Sequence, residues 1–426
     1  MWRTFLTGCL SHFLIPERCL GMNSGAVCTL VWCLVGTISP AWAQTGPLRA
    51  IGPVREGRSA AVIVDDVPFI QTTQLFAADS RGRIRDASNA GKQSRRLIQN
   101  LEGLLKGSAS GLKQLVRVNL YAVSNEDLDT LRQELARLLA GSTLPAVTGV
   151  VTELPFSEAA VALDALAVAS RDEGQNAVRY HHLSPRQGAL PQAQTALLPA
   201  GPKVYVSGQY AKGGFEAATR GTMEGLAATL RHLGLNWENV VQLKAFLYPM
   251  SRSAEAWNIM ASEFKARTFP PISFVEWDPN LPIEIEMVVS GTGLAESFQH
   301  RQPVSFVTPP GLDKSPVFSR IAITHGGKSV FVSGIYSESP GDPELEVRDV
   351  FSQLRSLLKE AGTDLEHLAK ATYYVGNETS SRLLGSVRQE LYNPQRPPAA
   401  SKALVKGVGK EDRALTLDMI AVLPHP

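Results

Sequence analysis

The chain has 426 residues, of which 44% are hydrophobic and 19% charged. That is long enough for roughly two to four ordinary domains with real cores, and it excludes a disordered or fibrous chain. A formal net charge of +2, 7% aromatic residues and the lack of a long Lys/Arg block exclude a dedicated nucleic-acid binder.

In chain order, the first feature is an apolar run, "AVCTLVWCLVGTI" (Ala26 to Ile38), followed by the small-x-small site Ala41-Trp42-Ala43 before Gln44. This predicts a signal peptide over residues 1–43, with Met22 as an internal start that gives a leader of more ordinary length. The run is short for a membrane span, which needs about 20 residues. All four cysteines (Cys9, Cys19, Cys28 and Cys33) precede the cleavage site, so the mature protein has no disulfide or thiol chemistry. The expectation is an exported protein, periplasmic or extracellular, with no stable membrane span after cleavage.

The rest of the chain repeats itself three times. "KVYVSGQYAKGG" (from Lys203) recurs as "SVFVSGIYSESPG" (from Ser329), and "PFIQTTQLFAADSRG" (from Pro68) is a weaker copy. A helical period follows each: Leu97, Leu101, Leu104 and Leu105; Met223, Leu226 and Leu230; Val347, Val350, Leu354 and Leu358. Gly234 and Gly362 stand where a helix-ending glycine belongs. Next come the strands "QLVRVNLYAV", "NVVQLKAFLYPM" and "HLAKATYYVG", whose alternation predicts half-buried antiparallel strands. A second helical stretch, a proline-led turn (Pro145, Pro270, Pro398) and a closing apolar strand complete each unit. The predicted organisation is α/β (α+β): three tandem β-α-β-α-β-β domains over 53–172, 176–295 and 300–426. Arg186 to Gly201 and Glu296 to Pro316 read as proline-rich linkers with entering edge strands.

"VYVSGQ", "GLAATLRHLGLNWENVVQLKAFL", "AWNIMASEF", "FPPISFVE" and "IEIEMVV" together resemble the RidA/YjgF family of imine and enamine deaminases. The third unit's "SPVFSRIAITHGGKSVFVSG" resembles that family's entry segment, and the resemblance covers nearly all of the mature chain. It implies chorismate-mutase-like domains that assemble as trimers with ligand clefts between subunits. Three joined copies then imply an intramolecular pseudo-trimer, a monomer with internal threefold pseudo-symmetry.

The resemblance also implies a site. Family members carry an arginine in the proline-led turn, which forks onto the substrate carboxylate, and a glutamate in the closing strand, which positions water. Here the arginine's place holds Val147, Ile272 and Ala400, and the glutamate's place holds Ala162, Glu284 and Thr416. A second acidic position persists as Asp164, Glu286 and Asp418. Glu284 is the candidate catalytic residue. Ser207, Gly208, Asn258, Ile272, Ser333, Gly334 and Lys402 are candidate ligand-binding residues. Lys402 shares the face of Ala400 by strand alternation and could offer a cation there, although a solvated strand lysine is the simpler reading of the position. Glu284 reads either as a water-activating group or as part of a polar seam with Glu286, and Asp164, Glu286 and Asp418 read as structural. Phe318 stands where the family often has tyrosine.

No HExxH or Cys/His ligand spacing, no GxxxxGK[ST], no GxGxxG after a strand and no GxSxG elbow occurs, so neither metal nor cofactor is expected. Three functions stay open at this point. One is a small-ligand binder whose imino-acid deaminase site has degenerated. Another is an imine or enamine hydrolase acting through Glu284 on a substrate without the usual carboxylate. The third is a non-catalytic interaction scaffold.

Overall fold

The computed structural model describes residues 46–87, 89–169, 176–182, 192–265, 267–277 and 281–424. The signal-peptide reading lies outside the described residues.

Three modules repeat one element order. The first runs through the strand Phe69–Thr72, helix α1 (Ala90–Gly107), the strand Leu115–Ala122, helix α2 (Asn125–Leu138), and the strands Ala146–Val151 and Val161–Val168. The second runs through Lys203–Gln209, α3 (Phe215–His232), Val240–Leu247, α4 (Ser253–Phe264), Ile272–Glu276 and Ile283–Ser290. The third runs through Ser329–Val332, α5 (Pro343–Ala361), Leu368–Val375, α6 (Glu378–Leu391), Ala399–Leu404 and Leu415–Val422. Local chemistry sets the helix ends. Asp342 accepts from the backbone N–H groups of Glu344 and Leu345, Pro343 opens α5, and Gly362 ends it at φ 86°. Ser124 caps α2 by accepting from Asp127 N.

In each sheet the closing strand lies between the module's first and second strands, and the second strand carries the proline-led strand beside it in parallel. Each helix pair packs on one face of its own sheet over a separate core.

The strand that precedes each module in the chain joins a neighbour's sheet. Thr195–Leu198 pairs with Phe69–Thr72 of the first module. Ile321–Thr324 pairs with Lys203–Gln209 of the second. Ala61–Val64, paired in turn with Leu48–Ile51, adds to Ser329–Val332 of the third. The exchange is cyclic, and residues 48–64 close the ring.

The faces turned away from the helices meet one another. Two apolar clusters draw on all three modules, one including Val116, Val241 and Ala369, the other Tyr121, Phe246 and Tyr374. The second strands are therefore buried on both faces rather than half-buried as their alternation predicts: every residue of Leu115–Ala122, Val240–Leu247 and Leu368–Val375 is buried. Their polar positions face the other modules, not water.

Candidate ligand clefts between the modules

Equivalent hydrogen bonds define three junctions. Ser207 Oγ accepts from Ala400 N at 2.7 Å, joining the second module to the third. Ser333 Oγ accepts from Val147 N at 2.8 Å, joining the third to the first. Thr73 Oγ1 accepts from Ile272 N at 3.2 Å, joining the first to the second. Ser207 and Ser333 also donate to Ser319 O and Ser59 O, each at 2.5 Å. Consequently the acid position and the turn position of one module serve different clefts. Ala400 stands across from Glu284, whereas Ile272 faces Thr73.

Side chains from within the chain occupy two of the junctions. In the first/second cleft Gln74 takes the place of the strand-end glycine. Its Nε2 donates to Phe274 O at 3.1 Å and its Oε1 accepts from Phe274 N at 3.1 Å. In the third/first cleft Arg58 Nη1 donates to Gly334 O at 2.7 Å and to Val147 O at 3.2 Å. The guanidinium lies 5.6 Å from the centroid of the Tyr336 ring, with Lys410 Nζ at 5.5 Å. Arg132 Nη2 donates to Tyr336 OH at 3.0 Å. Thr416, in the glutamate's place, points at Gly334: a Cβ there would stand 2.8 Å from its Oγ1.

The second/third cleft differs. Gly208 N donates to Ser401 Oγ at 3.1 Å, and Ser401 is hydrogen-bonded to Glu284. The Glu284 carboxylate lies directly over Gly208, since a Cβ at 208 would stand 1.8 Å from Oε1. Only glycine leaves room for that approach. Burial and, after it, the nearby charge of Glu286 push the Glu284 carboxyl up to about 8, against the opposing effects of Ser401, Lys402 and Arg320. Lys402 and Ala400 do share a face, on the helix side of their sheet. Ala400 packs against the third module's core, and Lys402 Nζ donates to Ser381 O at 3.4 Å. Burial, then Arg388, lowers the lysine's pKa. Asn258 is exposed on α4 and Ile272 is buried. Tyr210, which follows the strand end as Tyr336 does in the third module, is 50% exposed, whereas Tyr336 is 7% exposed beneath its cationic cover.

The sequence reading passed over Gln74, Arg58, Arg320, Ser401 and Tyr210. One signal was available: "TTQL" breaks the Ser-Gly pattern at the position where a side chain enters the cleft. Nothing in the pattern marked Arg58, because it comes from the entry segment.

At the centre of the ring, Arg117, Lys244 and Lys370 meet Asp164, Glu286 and Asp418, all 4% exposed or less. Arg117 pairs with Asp418 at 3.3 Å and Lys370 with Glu286 at 3.0 Å, both across junctions. Asp164 accepts from Asn119 (3.0 Å), Tyr121 (2.6 Å) and, across the first/second junction, Ser273 (2.8 Å). Burial alone would raise the Asp418 carboxyl, but Arg117, Lys370 and Lys244 hold it below its ordinary range. These acids link the modules as charge partners, whereas Glu284 lies apart from them against Gly208 and Ser401 at the second/third junction.

Residues 192–290 match the family described as Endoribonuclease L-PSP. Among solved structures, a portion of the chain is similar to a protein of unknown function of the conserved Rid family from Yersinia pestis, at 20% identity over 29% of this chain and 99% of that one, TM-score 0.27. Another similar structure is a YjgF-family member from Neisseria meningitidis, at 20% identity over 30% and 100%, TM-score 0.23. A third is a YjgF-family member from Mycobacterium tuberculosis, at 22% identity over 28% and 99%, TM-score 0.21. No curated protein matches the chain.

Proposed function

We propose that this chain, whose second module belongs to the RidA/YjgF family, uses one of its three inter-module clefts as a small-ligand site, the one between its second and third modules. The observation that carries the reading is the difference among equivalent positions. Gln74 fills one cleft and Arg58 another, whereas the third holds Glu284 above Gly208. The chemistry this cleft supports best is hydrolysis of a carbon–nitrogen double bond. Water adds to the carbon, and ammonia leaves from the tetrahedral adduct once its nitrogen has gained a proton. A carboxyl raised to about 8 holds a proton for the nitrogen near neutral pH and, once ionised, accepts one from the attacking water. Ser401 orients it, and Gly208 allows it to lie against the backbone.

Ammonia release from freshly generated imines tests the reading, with wild type and Glu284→Gln compared. Release that falls at least ~100-fold in the variant supports it. Equal release from both, or none from either, overturns the catalytic reading. One ligand bound per chain without ammonia release would leave a binding protein.

The single-chain ring is part of the proposal. Cyclic strand exchange supports a monomer that needs no second copy, and light scattering at the mass of one mature chain would bear this out. Export is proposed from residues 26–43 alone, and N-terminal sequencing of the exported protein tests cleavage after Ala43.

A further inference from the structure

The junction occupied by Arg58 indicates what its counterpart between the second and third modules accepts. The hydrogen bonds of the entry segments set the correspondence. Ser333 N donates to Ala60 O and Ser333 Oγ to Ser59 O, while Ser207 N donates to Arg320 O and Ser207 Oγ to Ser319 O. Position 58 therefore corresponds to 318, Gly334 to Gly208, Val147 to Ala400, Tyr336 to Tyr210 and Thr416 to Glu284. In the third/first cleft a planar cation sits among two backbone carbonyls and a tyrosine ring. At the second/third junction Gly208 and Ala400 stand where Gly334 and Val147 do, Phe318 stands where Arg58 does, Tyr210 is half-exposed, and a carboxylate replaces the threonine.

We propose that the second/third cleft binds a planar cationic group with a delocalised C–N bond (an amidinium, guanidinium or iminium), the role that the Arg58 side chain plays within the third/first cleft. The inference rests on the reading of this cleft as the ligand site and specifies the ligand's class. A planar cation donates a charge-assisted hydrogen bond to the carboxylate and gains a favourable approach to an aromatic face. The other charges around Glu284 have partners of their own. Glu286 is paired with Lys370 at 3.0 Å, and Lys402 donates to Ser381 O within its own module. Arg320 donates to Asp313 O at 3.3 Å and lies 5.0 Å from the Phe318 ring centroid. Glu378 and Arg388 act on Lys402 rather than on Glu284. An iminium is also the protonated form of the double bond whose hydrolysis is proposed above, so ligand class and chemistry agree.

The experiment titrates the full mature chain with benzamidinium by calorimetry at pH 7 and pH 9, with benzoate and benzyl alcohol as controls. Expected are one benzamidinium per chain, tighter binding at pH 9 as Glu284 ionises, and a loss of ~10-fold or more in Glu284→Gln and in Tyr210→Leu. Glu284-dependent binding of benzoate or benzyl alcohol without benzamidinium overturns the ligand class and leaves the cleft standing. No binding by any of the three overturns the cleft itself. A second arm uses Arg58→Ala, which should melt at a lower temperature and be restored by millimolar methylguanidinium but not by methylammonium. A melting loss restored equally by both cations, or by neither, overturns the mimicry.

Discussion

Removing one charge from the centre of the ring should be costly, and removing a pair should not. Asp418 accepts from Arg117 Nη1 at 3.3 and 3.4 Å, and the two side chains are 1% and 5% exposed. Asp418→Asn keeps the shape but leaves three cations (Arg117, Lys244, Lys370) facing two carboxylates. Breaking a buried pair by removing one partner costs about 3–5 kcal/mol. The expected loss lies at the lower end, because Asp164 also favours the charged Arg117 and an asparagine oxygen still accepts from it. The double variant Arg117→Met/Asp418→Leu removes both charges and should recover most of that loss. The pH dependence carries a sign of its own. The Asp418 carboxyl is held below its ordinary range, so its contribution is present above the unfolded carboxylate range and is lost as pH falls through the folded-state value. That part of the acid slope should be missing in Asp418→Asn. Urea unfolding followed by tryptophan fluorescence, at pH 7 and downward, gives both quantities. A loss under ~1 kcal/mol for the single variant, or a double variant less stable than the single, would refute the reasoning.

Other perturbations have equally definite outcomes. Glu284→Gln should raise stability at pH 9 relative to wild type by ~1–3 kcal/mol and leave it little changed at pH 4, because a carboxyl raised to about 8 stabilises the fold below its unfolded pKa and loses that contribution as pH rises through the folded one. Equal pH profiles in melting experiments would contradict this. Gln74→Ala strands both backbone groups of Phe274 and should cost ~1–3 kcal/mol in urea unfolding, whereas Gln74→Glu cannot donate to Phe274 O and should cost at least as much. A tolerated glutamate would argue against the paired hydrogen bonds. Deleting residues 46–66 bares Ser329–Val332 as a sheet edge, so light scattering should reveal association; a monodisperse monomer with unchanged melting would count against strand closure. Gly208→Ala forces the Glu284 carboxylate to move and should lower ammonia release to the level of Glu284→Gln, and full activity would exclude the close approach.

Much of the architecture was legible in the chain because it is written three times. The Ser-Gly strands, the leucine periods and the proline-led turns place the main strands and helices of each module, whereas the caps Ser124 and Asp342 emerge only from the structure. Burial of the second strands was not legible. A period of two carries no information on whether the polar face meets water or another module, so nothing in the pattern marks Arg117, Lys244 and Lys370 as buried. Partnership between modules was hidden for the same reason. Glu284 and Ile272 are neighbours in the chain and belong to different clefts, while Glu284 and Ser401 are far apart in sequence and joined in space. Gln74 and Arg58 fill clefts through side-chain conformations that no spacing rule encodes.

The pairing of Ala61–Val64 with Ser329–Val332 has a consequence for how the molecule is made. A ribosome adds residues in order, so the first strands to emerge wait for almost the whole chain before their partner exists. Until then a short apolar strand pair has no sheet to join, and the first two modules can already be pairing through Thr195–Leu198. Contacts between such distant parts of a chain form slowly, because a long loop must close before any pairing compensates for it. Closure of that pairing spans the longest loop of the three strand exchanges and is therefore expected to come late, and a chain stalled before it presents an open strand edge to its neighbours.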